Sequence, residues 1–180
     1  MQKNYNIVTK EWLGNATPNS HPVLDQLFYD YNGVRYLVDG KKVVLDYSKK
    51  EREVAEWLKN TFGGEIKMIP KVNIPEGIKT PDYIFRGESW DLKIPKGSGK
   101  RTIEDLLKRN RKQSKNFIID ISFMKNKDDD IRKQIIKLFN SKTTNWIYKI
   151  IIKRQENLIC VLENNKKEIG RNPTGHDQFH

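Results

Sequence analysis

Two short β-forming segments around a tight turn place the strongest constraint on how this chain can fold. Residues 82–85 (DYIF) and 90–94 (WDLKI) flank the turn Arg86–Gly87 and predict a β-hairpin. Apolar residues at helical spacing precede this hairpin. A second segment with helical spacing and then a strand come after it. This alternation predicts an α/β fold with a mixed central sheet flanked by helices.

The helices around the hairpin have clear start and stop signals. Ser48 and Glu51 form a capping-box pattern, and apolar residues then recur at helical spacing, which predicts a helix over residues 49–62. A second helix is predicted over residues 102–115. The remaining predictions are a strand at 66–70, a strand at 117–122, a helix at 129–140, a closing hairpin of 146–152 with 158–162, and a hairpin of 34–38 with 43–47 around Asp39–Gly40.

The length of 180 residues favours one domain with a real hydrophobic core. Residues 1–33 lack a sustained period and are interpreted as an irregular N-terminal lead-in. Residues 34–163 are predicted to form the folded domain, and residues 164–180 a polar C-terminal tail.

The net charge of +11 points to a polyanionic partner, either nucleic acid or an anionic membrane surface. The sequence contains no apolar run of about 18 residues, so no membrane span is predicted. The N-terminus lacks the pattern of a signal peptide. A soluble protein that binds nucleic acid is the simpler interpretation.

Few residues of this chain are suited to soft-metal or thiol chemistry. Cys160 is the only cysteine and lies in the apolar run LICVL, which predicts a buried, inert thiol. The chain has three histidines, so a histidine-rich metal site is not expected. Carboxylates are the remaining metal ligands, and they favour Mg²⁺ or Mn²⁺.

The hairpin also carries the candidate catalytic residues. Strand alternation places Asp91 and Lys93 on one face, and hairpin pairing brings Asp82 and Asp91 together near the open end. Two carboxylates can hold a hard divalent cation. A lysine beside them can steady the attacking water or the charge on a phosphate.

This arrangement resembles the PD-(D/E)XK nuclease superfamily, with Pro81–Asp82 as the PD element and Asp91-Leu92-Lys93 as the (D/E)XK element. A closer resemblance covers residues 48–122. There SKKEREVAEWL, GGEIKMIP, IKTPDYIF, WDLKIPKGSGKRTIEDLL and KQSKNFIIDIS are similar to the C-terminal tRNA nuclease domains of CdiA-type contact-dependent inhibition toxins.

The resemblance implies a restriction-endonuclease-like core in residues 34–163 and a metal-dependent ribonuclease toxin that cleaves tRNA. It also implies a cognate immunity protein as partner and delivery from a larger secreted protein, with activity in the target-cell cytoplasm. We expect a monomer. A DNA endonuclease of the same fold is one alternative, and a non-catalytic nucleic-acid-binding module is another.

Members of the resembling superfamily carry a catalytic acid on the helix before the PD strand, where this chain offers Glu51, Glu53 and Glu56. Helical phase places Glu51 on the apolar face and Glu56 roughly opposite. Glu51 is therefore the predicted third catalytic residue, with a metal-ligand set of Glu51, Asp82 and Asp91. The alternative is that Glu51 acts only in the capping box.

Positive charge is concentrated after the hairpin. Residues 93–115 contain nine Lys or Arg residues and two acids, a net charge of +7. This excess favours phosphate contacts over a solvated helix face. The resemblance adds a glutamine near the site. The predicted substrate-binding residues are Ser98, Lys100, Thr102, Lys108, Arg109, Arg111, Lys112 and Gln113.

Three other polar residues could take part in the chemistry. Asp120 interrupts the apolar run FIIDIS and could be a further metal ligand or could mark an exposed strand face, so it stays outside the predicted set. His176 and His180 could in principle cleave RNA without a metal. Both lie in the polar tail, and we do not expect them to be catalytic.

Overall fold

The computed structural model describes residues 4–111 and 113–165, which form a mixed α/β structure. The elements, in chain order, are β1 (Tyr5–Ile7), α1 (Thr9–Gly14), β2 (Val23–Asp25), β3 (Phe28–Tyr31), β4 (Val34–Leu37), β5 (Val43–Val44), α2 (Lys49–Thr61), β6 (Ile66–Met68), β7 (Lys71–Val72), β8 (Tyr83–Phe85), β9 (Glu88–Lys93), α3 (Thr102–Arg109), β10 (Asn116–Asp120), α4 (Asp128–Asn140), β11 (Lys149–Arg154) and β12 (Asn157–Asn164).

Eight strands form one mixed sheet in the order β1-β12-β11-β10-β9-β8-β6-β2. The central strands β9, β10 and β11 are parallel, while β8 and β12 run antiparallel to their neighbours in the sheet. Helix α3 connects β9 to β10, and α4 connects β10 to β11. Parallel neighbours need such crossovers. The prediction of a mixed central sheet flanked by helices is confirmed.

The sheet separates two hydrophobic cores. Leu92 and Ile118 belong to the core that contains the buried residues of α2. Phe117 and Ile119 belong to the other core, which contains the buried residues of α3 and α4. Because successive side chains of a strand point to opposite faces, α2 covers one face of the sheet, and α3 with α4 covers the other.

Helix α2 follows its local sequence signals. The Ser48 hydroxyl accepts a hydrogen bond from the Glu51 amide, and the Glu51 carboxylate accepts one from the Ser48 amide. Both halves of the predicted capping box are thus present. After Phe62 the chain turns at Gly63, which has a φ of +67°, and a Cβ there would lie 1.7 Å from the Thr17 carbonyl oxygen. Only glycine fits this position.

The elements after the β8–β9 hairpin agree with their predicted bounds to within a few residues, except for α3 and the C-terminal tail. Helix α4 agrees with its predicted range, and β11 and β12 form the predicted closing hairpin. Helix α3 is shorter than predicted and ends at Arg109. Of the predicted polar tail, residues 164–180, Asn164 is instead the buried last residue of β12, and residues 166–180 lie outside the described residues.

The N-terminal lead-in is more ordered than predicted. Strand β1 pairs with β12, and β2 pairs with β6, so the first 25 residues supply both edge strands of the main sheet. These strands are three residues long. Segments this short carry too little periodicity to be recognised from sequence.

The predicted hairpin of residues 34–38 with 43–47 is wrong. Strand β4 pairs with β3 through the turn Asn32–Gly33, whereas β5 pairs with β7. The predicted turn at Asp39 does form, because its Oδ1 accepts hydrogen bonds from the amides of residues 41–43. The chain after this turn nevertheless pairs with β7, which lies far along the sequence, and not with β4.

None of the helices in residues 4–111 and 113–165 is long and apolar enough to cross a membrane.

Candidate active site

Asp82 and Asp91 lie side by side at the open end of the β8–β9 hairpin. Tyr83 pairs with Trp90, which places the two aspartates at the next position of the ladder. The Asp82 amide donates to the Trp90 carbonyl at 3.1 Å, and the Leu92 amide donates to Asp82 Oδ2 at 2.7 Å. The predicted convergence of these two carboxylates is therefore present.

The Asp82 carboxyl group has an unusual pKa. Burial is the largest cause, and the charge of Asp91 and a hydrogen bond between the two carboxyl groups raise the pKa of Asp82 further, to about 7. The Leu92 amide and the charge of Lys93 oppose this shift. Without an added cation, the pair therefore keeps a proton over much of the acidic pH range.

Asp91 is buried, with 1% of its surface exposed. Among the described residues, no N–H or O–H donor makes a hydrogen bond of normal geometry to either carboxylate oxygen of Asp91. Lys93 Nζ lies 2.5 Å from Oδ2 as an ion pair. A hydrogen bond between Asp91 and Asp82 requires a proton on one of the two carboxyl groups. When both are ionised, one lysine faces two negative charges.

Lys93 connects the aspartate pair to Gln113. Its Nζ donates to Gln113 Oε1 at 3.4 Å and also contacts Asp91. Lys93 pairs with Ile119 of β10, on the face of the sheet covered by α3 and α4. The structure thus brings Asp82, Asp91 and Lys93 together, as the hairpin predicted, and places Gln113 beside them, as the resemblance implied.

Glu51, the predicted third metal ligand, does not lie beside the aspartate pair. Its carboxylate accepts the Ser48 amide, while its backbone carbonyl accepts a hydrogen bond of 2.8 Å from Tyr83 Oη. Helix α2 also lies on the sheet face opposite to Asp91. Within the described ranges, no three His, Cys, Asp or Glu residues are grouped so that they could hold a metal ion. The structure does not bring Glu51 together with Asp82 and Asp91.

Tyr83 was not anticipated as part of this site. Burial raises its pKa well above the usual value, and the charges of Asp82, Glu51 and Asp91 raise it further. The phenol therefore stays neutral and bridges α2 to the strand that follows Asp82. No signal in the sequence distinguishes this tyrosine from an ordinary core tyrosine.

The aspartate pair fits a hard divalent cation. Mg²⁺ is commonly held by one or two carboxylates, with water and substrate phosphate completing its shell. The unsatisfied Asp91 oxygens and the raised pKa of Asp82 both reflect negative charge that a cation would offset. Asp82 and Asp91 can supply these ligands without a third acid.

The predicted substrate-binding residues lie along the loop after β9 and along α3. Ser98 and Lys100 are exposed in the loop, and Thr102 begins the helix. Lys108 pairs with Glu104 at 2.6 Å, which neutralises part of its charge. Exposed Arg109 has no such ion pair among the described residues. Lys112 lies outside the described residues.

The side chain of Arg111 lies over the ring of Trp146, with the guanidinium carbon 5.8 Å from the ring centroid. This cation–π contact holds Arg111 beside Trp146, in the segment before β11, while the residue stays exposed. Its charge therefore remains accessible to a polyanion near the end of α3.

Asp120 is neither exposed nor part of the aspartate pair. It is fully buried on the α2 face, where its Oδ2 lies 2.9 Å from Lys50 Nζ and 3.4 Å from Lys153 Nζ. Burial raises its pKa, but hydrogen bonds from Ser122 and Lys50 and the charge of Lys153 outweigh burial and lower it. The protein itself supplies all the partners of this carboxylate.

The remaining candidate groups are Cys160 and the two histidines of the tail. Cys160 is buried, and burial raises the pKa of its thiol, in agreement with the predicted inert cysteine. His176 and His180 lie outside the described residues.

Comparisons with known proteins show similarity over the part of the chain that contains the aspartate pair. Residues 79–158 match the family described as "Contact-dependent growth inhibition CdiA C-terminal domain". Among solved structures, the chain is similar to the "CdiA-CT/CdiI toxin and immunity complex from Burkholderia pseudomallei", with a TM-score of 0.49 and 21% identity, over 63% of this chain and 82% of that chain. The comparison with curated proteins gave no match. Residues 79–158, which include Asp82, Asp91, Lys93 and Gln113, are thus similar to CdiA C-terminal domains.

Proposed function

We propose that this chain is a metal-dependent ribonuclease of the toxin type that hydrolyses phosphodiester bonds in tRNA. The observation that carries the proposal is the buried Asp82–Asp91 pair with Lys93 beside it. Two adjacent buried carboxylates are costly to ionise without a cation. Such a pair is therefore better suited to binding a metal than to stabilising the fold.

In this proposal Asp82 and Asp91 hold Mg²⁺ or Mn²⁺, and the bound ion supplies an activated water and offsets charge on the phosphate. Asp82 has to release its proton before it can act as a ligand. Lys93 stabilises negative charge that develops on the phosphate. Gln113 limits the movement of the Lys93 ammonium group through the contact at Oε1.

Glu51 enters the proposal as a third metal ligand. Its carboxylate accepts a hydrogen bond from the Ser48 amide, and α2 lies on the sheet face opposite to Asp91. Glu51 would therefore have both to leave that amide and to move to the aspartate face. The bridge from Tyr83 to the Glu51 carbonyl keeps this turn of α2 close to β8. Glu51 is therefore secondary to the aspartate pair.

The proposed nucleic-acid contacts are the predicted substrate-binding residues of the loop after β9, of α3 and of the segment after it. Their segment carries +7 of the total charge, and exposed Arg109 and Arg111 lie at the end of α3. A surface of this kind attracts a phosphate backbone whatever its sequence. RNA as the substrate, and tRNA in particular, rests on the resemblance to toxin nuclease domains.

The toxin role is supported by the match of residues 79–158 to the CdiA C-terminal domain. On the same resemblance we propose a PD-(D/E)XK core, a cognate immunity protein as partner, and delivery from a larger secreted protein into the target-cell cytoplasm. We also propose that the chain acts as a monomer. A basic nuclease surface would favour an acidic immunity protein.

The decisive experiment incubates the purified chain with total tRNA and with plasmid DNA, each with Mg²⁺ or with excess EDTA. We expect cleavage of tRNA in Mg²⁺ and none in EDTA, with the Asp91→Asn variant as the inactive control. Cleavage of DNA alone would establish a DNA endonuclease instead. Binding of tRNA without cleavage would indicate a non-catalytic module, and full activity in EDTA would rule out the metal mechanism.

A further inference from the structure

Phe123 is an aromatic residue left in solvent at a defined place in the fold. It lies in the loop that follows β10, and 64% of its surface is exposed. Its neighbour Met124 is buried in the core beneath α4. The loop is thus anchored in the core by Met124, immediately beside an aromatic residue with most of its surface in solvent.

The loop around Phe123 is held rigidly by Arg154. The guanidinium donates hydrogen bonds to the carbonyl oxygens of Ile121 at 3.1 Å, Met124 at 2.7 Å and Asn126 at 2.7 Å. Its Nε also donates to Asp128 Oδ1 at 2.8 Å. Four hydrogen bonds from one side chain fix the path of this loop, so the exposure of Phe123 is built into the fold.

The loop lies at the same edge of the sheet as the aspartate pair. Parallel strands β9 and β10 end at one edge, and Lys93 pairs with Ile119 close to these ends. The loop after β9 contacts the loop after β10 through a hydrogen bond of 3.2 Å from Asn126 Nδ2 to the Ser98 carbonyl. The two loops therefore form one surface beside Lys93.

This surface is strongly basic. Residues 94–103 and 121–127 contain five Lys or Arg residues and no acidic residue. Arg101 pairs with the acids of α3. The others are exposed and make no ion pair within the described parts of the chain: Lys96, Lys100, Lys125 and Lys127.

An exposed ring among unpaired cations has the two properties that single-stranded nucleic acid requires. The cations attract the phosphate backbone, and the flat face of the ring can stack on a base. A duplex keeps its bases stacked on each other and offers no free base face to such a ring. An apolar protein surface would meet four unpaired lysines here, which would cost desolvation energy.

We propose that Phe123 stacks on an unpaired base of the RNA substrate, next to the phosphodiester held at Asp82 and Asp91. This inference rests on the proposed function and adds a structural requirement that the RNA substrate has to meet. The nucleotide near the cleaved bond is unpaired, as in a loop or a single-stranded end.

The test measures binding in the cleavage-deficient Asp91→Asn background, with single-stranded RNA that contains the fluorescent base 2-aminopurine. We expect Phe123→Ala to weaken binding by about 5- to 150-fold, the range for loss of one base–aromatic stack. Phe123→Tyr should retain affinity and the quenching of 2-aminopurine. Phe123→Leu should retain neither, although leucine is also apolar.

Leu37→Ala is the matched control, because Leu37 is equally exposed at 63% but lies in the β3–β4 hairpin, outside the two basic loops. It should leave RNA binding unchanged, and duplex RNA should bind equally well to all variants. Unchanged affinity in Phe123→Ala, or full affinity in Phe123→Leu, would overturn the stacking inference alone. If the parent variant binds no RNA, the proposed function fails, and the inference fails with it.

Discussion

Neighbouring strands β9 and β10 each carry a buried aspartate, and the two have opposite surroundings. Asp120 faces α2 and meets two lysines and the amide and hydroxyl of Ser122. Asp91 faces the other side of the sheet, where it meets one lysine and a second carboxyl group. The pKa of Asp120 is lowered, whereas that of Asp82, the neighbour of Asp91, is raised.

The different surroundings indicate that Asp120 is a structural carboxylate, whereas the Asp82–Asp91 pair needs a bound cation. Buried charges stabilise a fold only when partners compensate for lost hydration. Asp120 has these partners, and its lowered pKa reflects a favourable site for negative charge. The Asp82–Asp91 pair has one lysine and one backbone amide for two carboxylates, so its doubly ionised form needs an added cation.

The largest expected effect is on catalysis at the unsatisfied pair. Asp91→Asn should reduce tRNA cleavage by about three orders of magnitude, because metal-assisted steps contribute several kcal/mol to phosphodiester hydrolysis. The free energy of unfolding should stay the same or rise, since carboxylate repulsion is removed. Cleavage rates in Mg²⁺ and urea denaturation of the same preparation measure both effects. Normal cleavage by Asp91→Asn would show that Asp91, like Asp120, is not needed for catalysis.

The reverse result is expected at the satisfied aspartate. Asp120→Asn should lower the free energy of unfolding by about 3 kcal/mol, because Lys153 would remain buried without its counter-charge. Folded Asp120→Asn protein should still cleave tRNA. Urea denaturation compared with Asp91→Asn gives the measurement, and equal midpoints for the two variants would contradict a structural role for Asp120.

The two carboxylates should also give opposite pH dependences of stability. The pKa of Asp82 is raised from 3.8 to about 7, so its folded form holds a proton that the unfolded chain has lost. In EDTA its contribution should make stability fall as pH rises from about 4 to about 7. Urea denaturation across this range should show a fall that is reduced in Asp82→Asn.

Asp120 acts in the other direction and in another range. Its pKa is lowered from 3.8, so its contribution is present above about pH 4 and is lost as pH falls through the folded value. Asp120→Asn should therefore leave the fall between pH 4 and pH 7 intact. A flattened profile in that variant, with an unchanged profile in Asp82→Asn, would reverse our assignment.

The smallest expected effect concerns the acids of α2. Glu51→Gln should reduce tRNA cleavage more than Glu56→Gln, but less than Asp91→Asn, because Glu51 lies near Tyr83 whereas Glu56 pairs with Arg52 and Lys59. Glutamine can still complete the capping box. A loss of stability therefore should not explain the loss of activity. If only Glu56→Gln is impaired, the assignment of Glu51 is wrong.

Local signals in the sequence predicted the elements that hold the aspartate pair. The capping box at Ser48 and the turn at Arg86–Gly87 are short-range patterns, and the register of the β8–β9 hairpin follows from the turn. Asp82, Asp91 and Lys93 lie within one such element. Their convergence is therefore a short-range property, and the sequence was sufficient to predict it.

Long-range pairings were not predictable in this way. Lys50 and Lys153 reach Asp120 from α2 and β11, and no local pattern links these three residues. The wrong hairpin at residues 34–47 has a related cause. Both Asn32–Gly33 and Asp39–Gly40 are turn signals, and the choice between them depends on pairing of β5 with the distant β7.

The two short strands contributed by the first 25 residues have a consequence for solubility. Strand β1 pairs with residues 162–164, the last three residues of β12, and β2 pairs with β6 at the other side of the sheet. A fragment that begins after residue 25 would expose two unpaired strand edges with free amide and carbonyl groups. Open edges of this kind template pairing with other chains. Such a fragment would retain the aspartate pair but would tend to self-associate into aggregates.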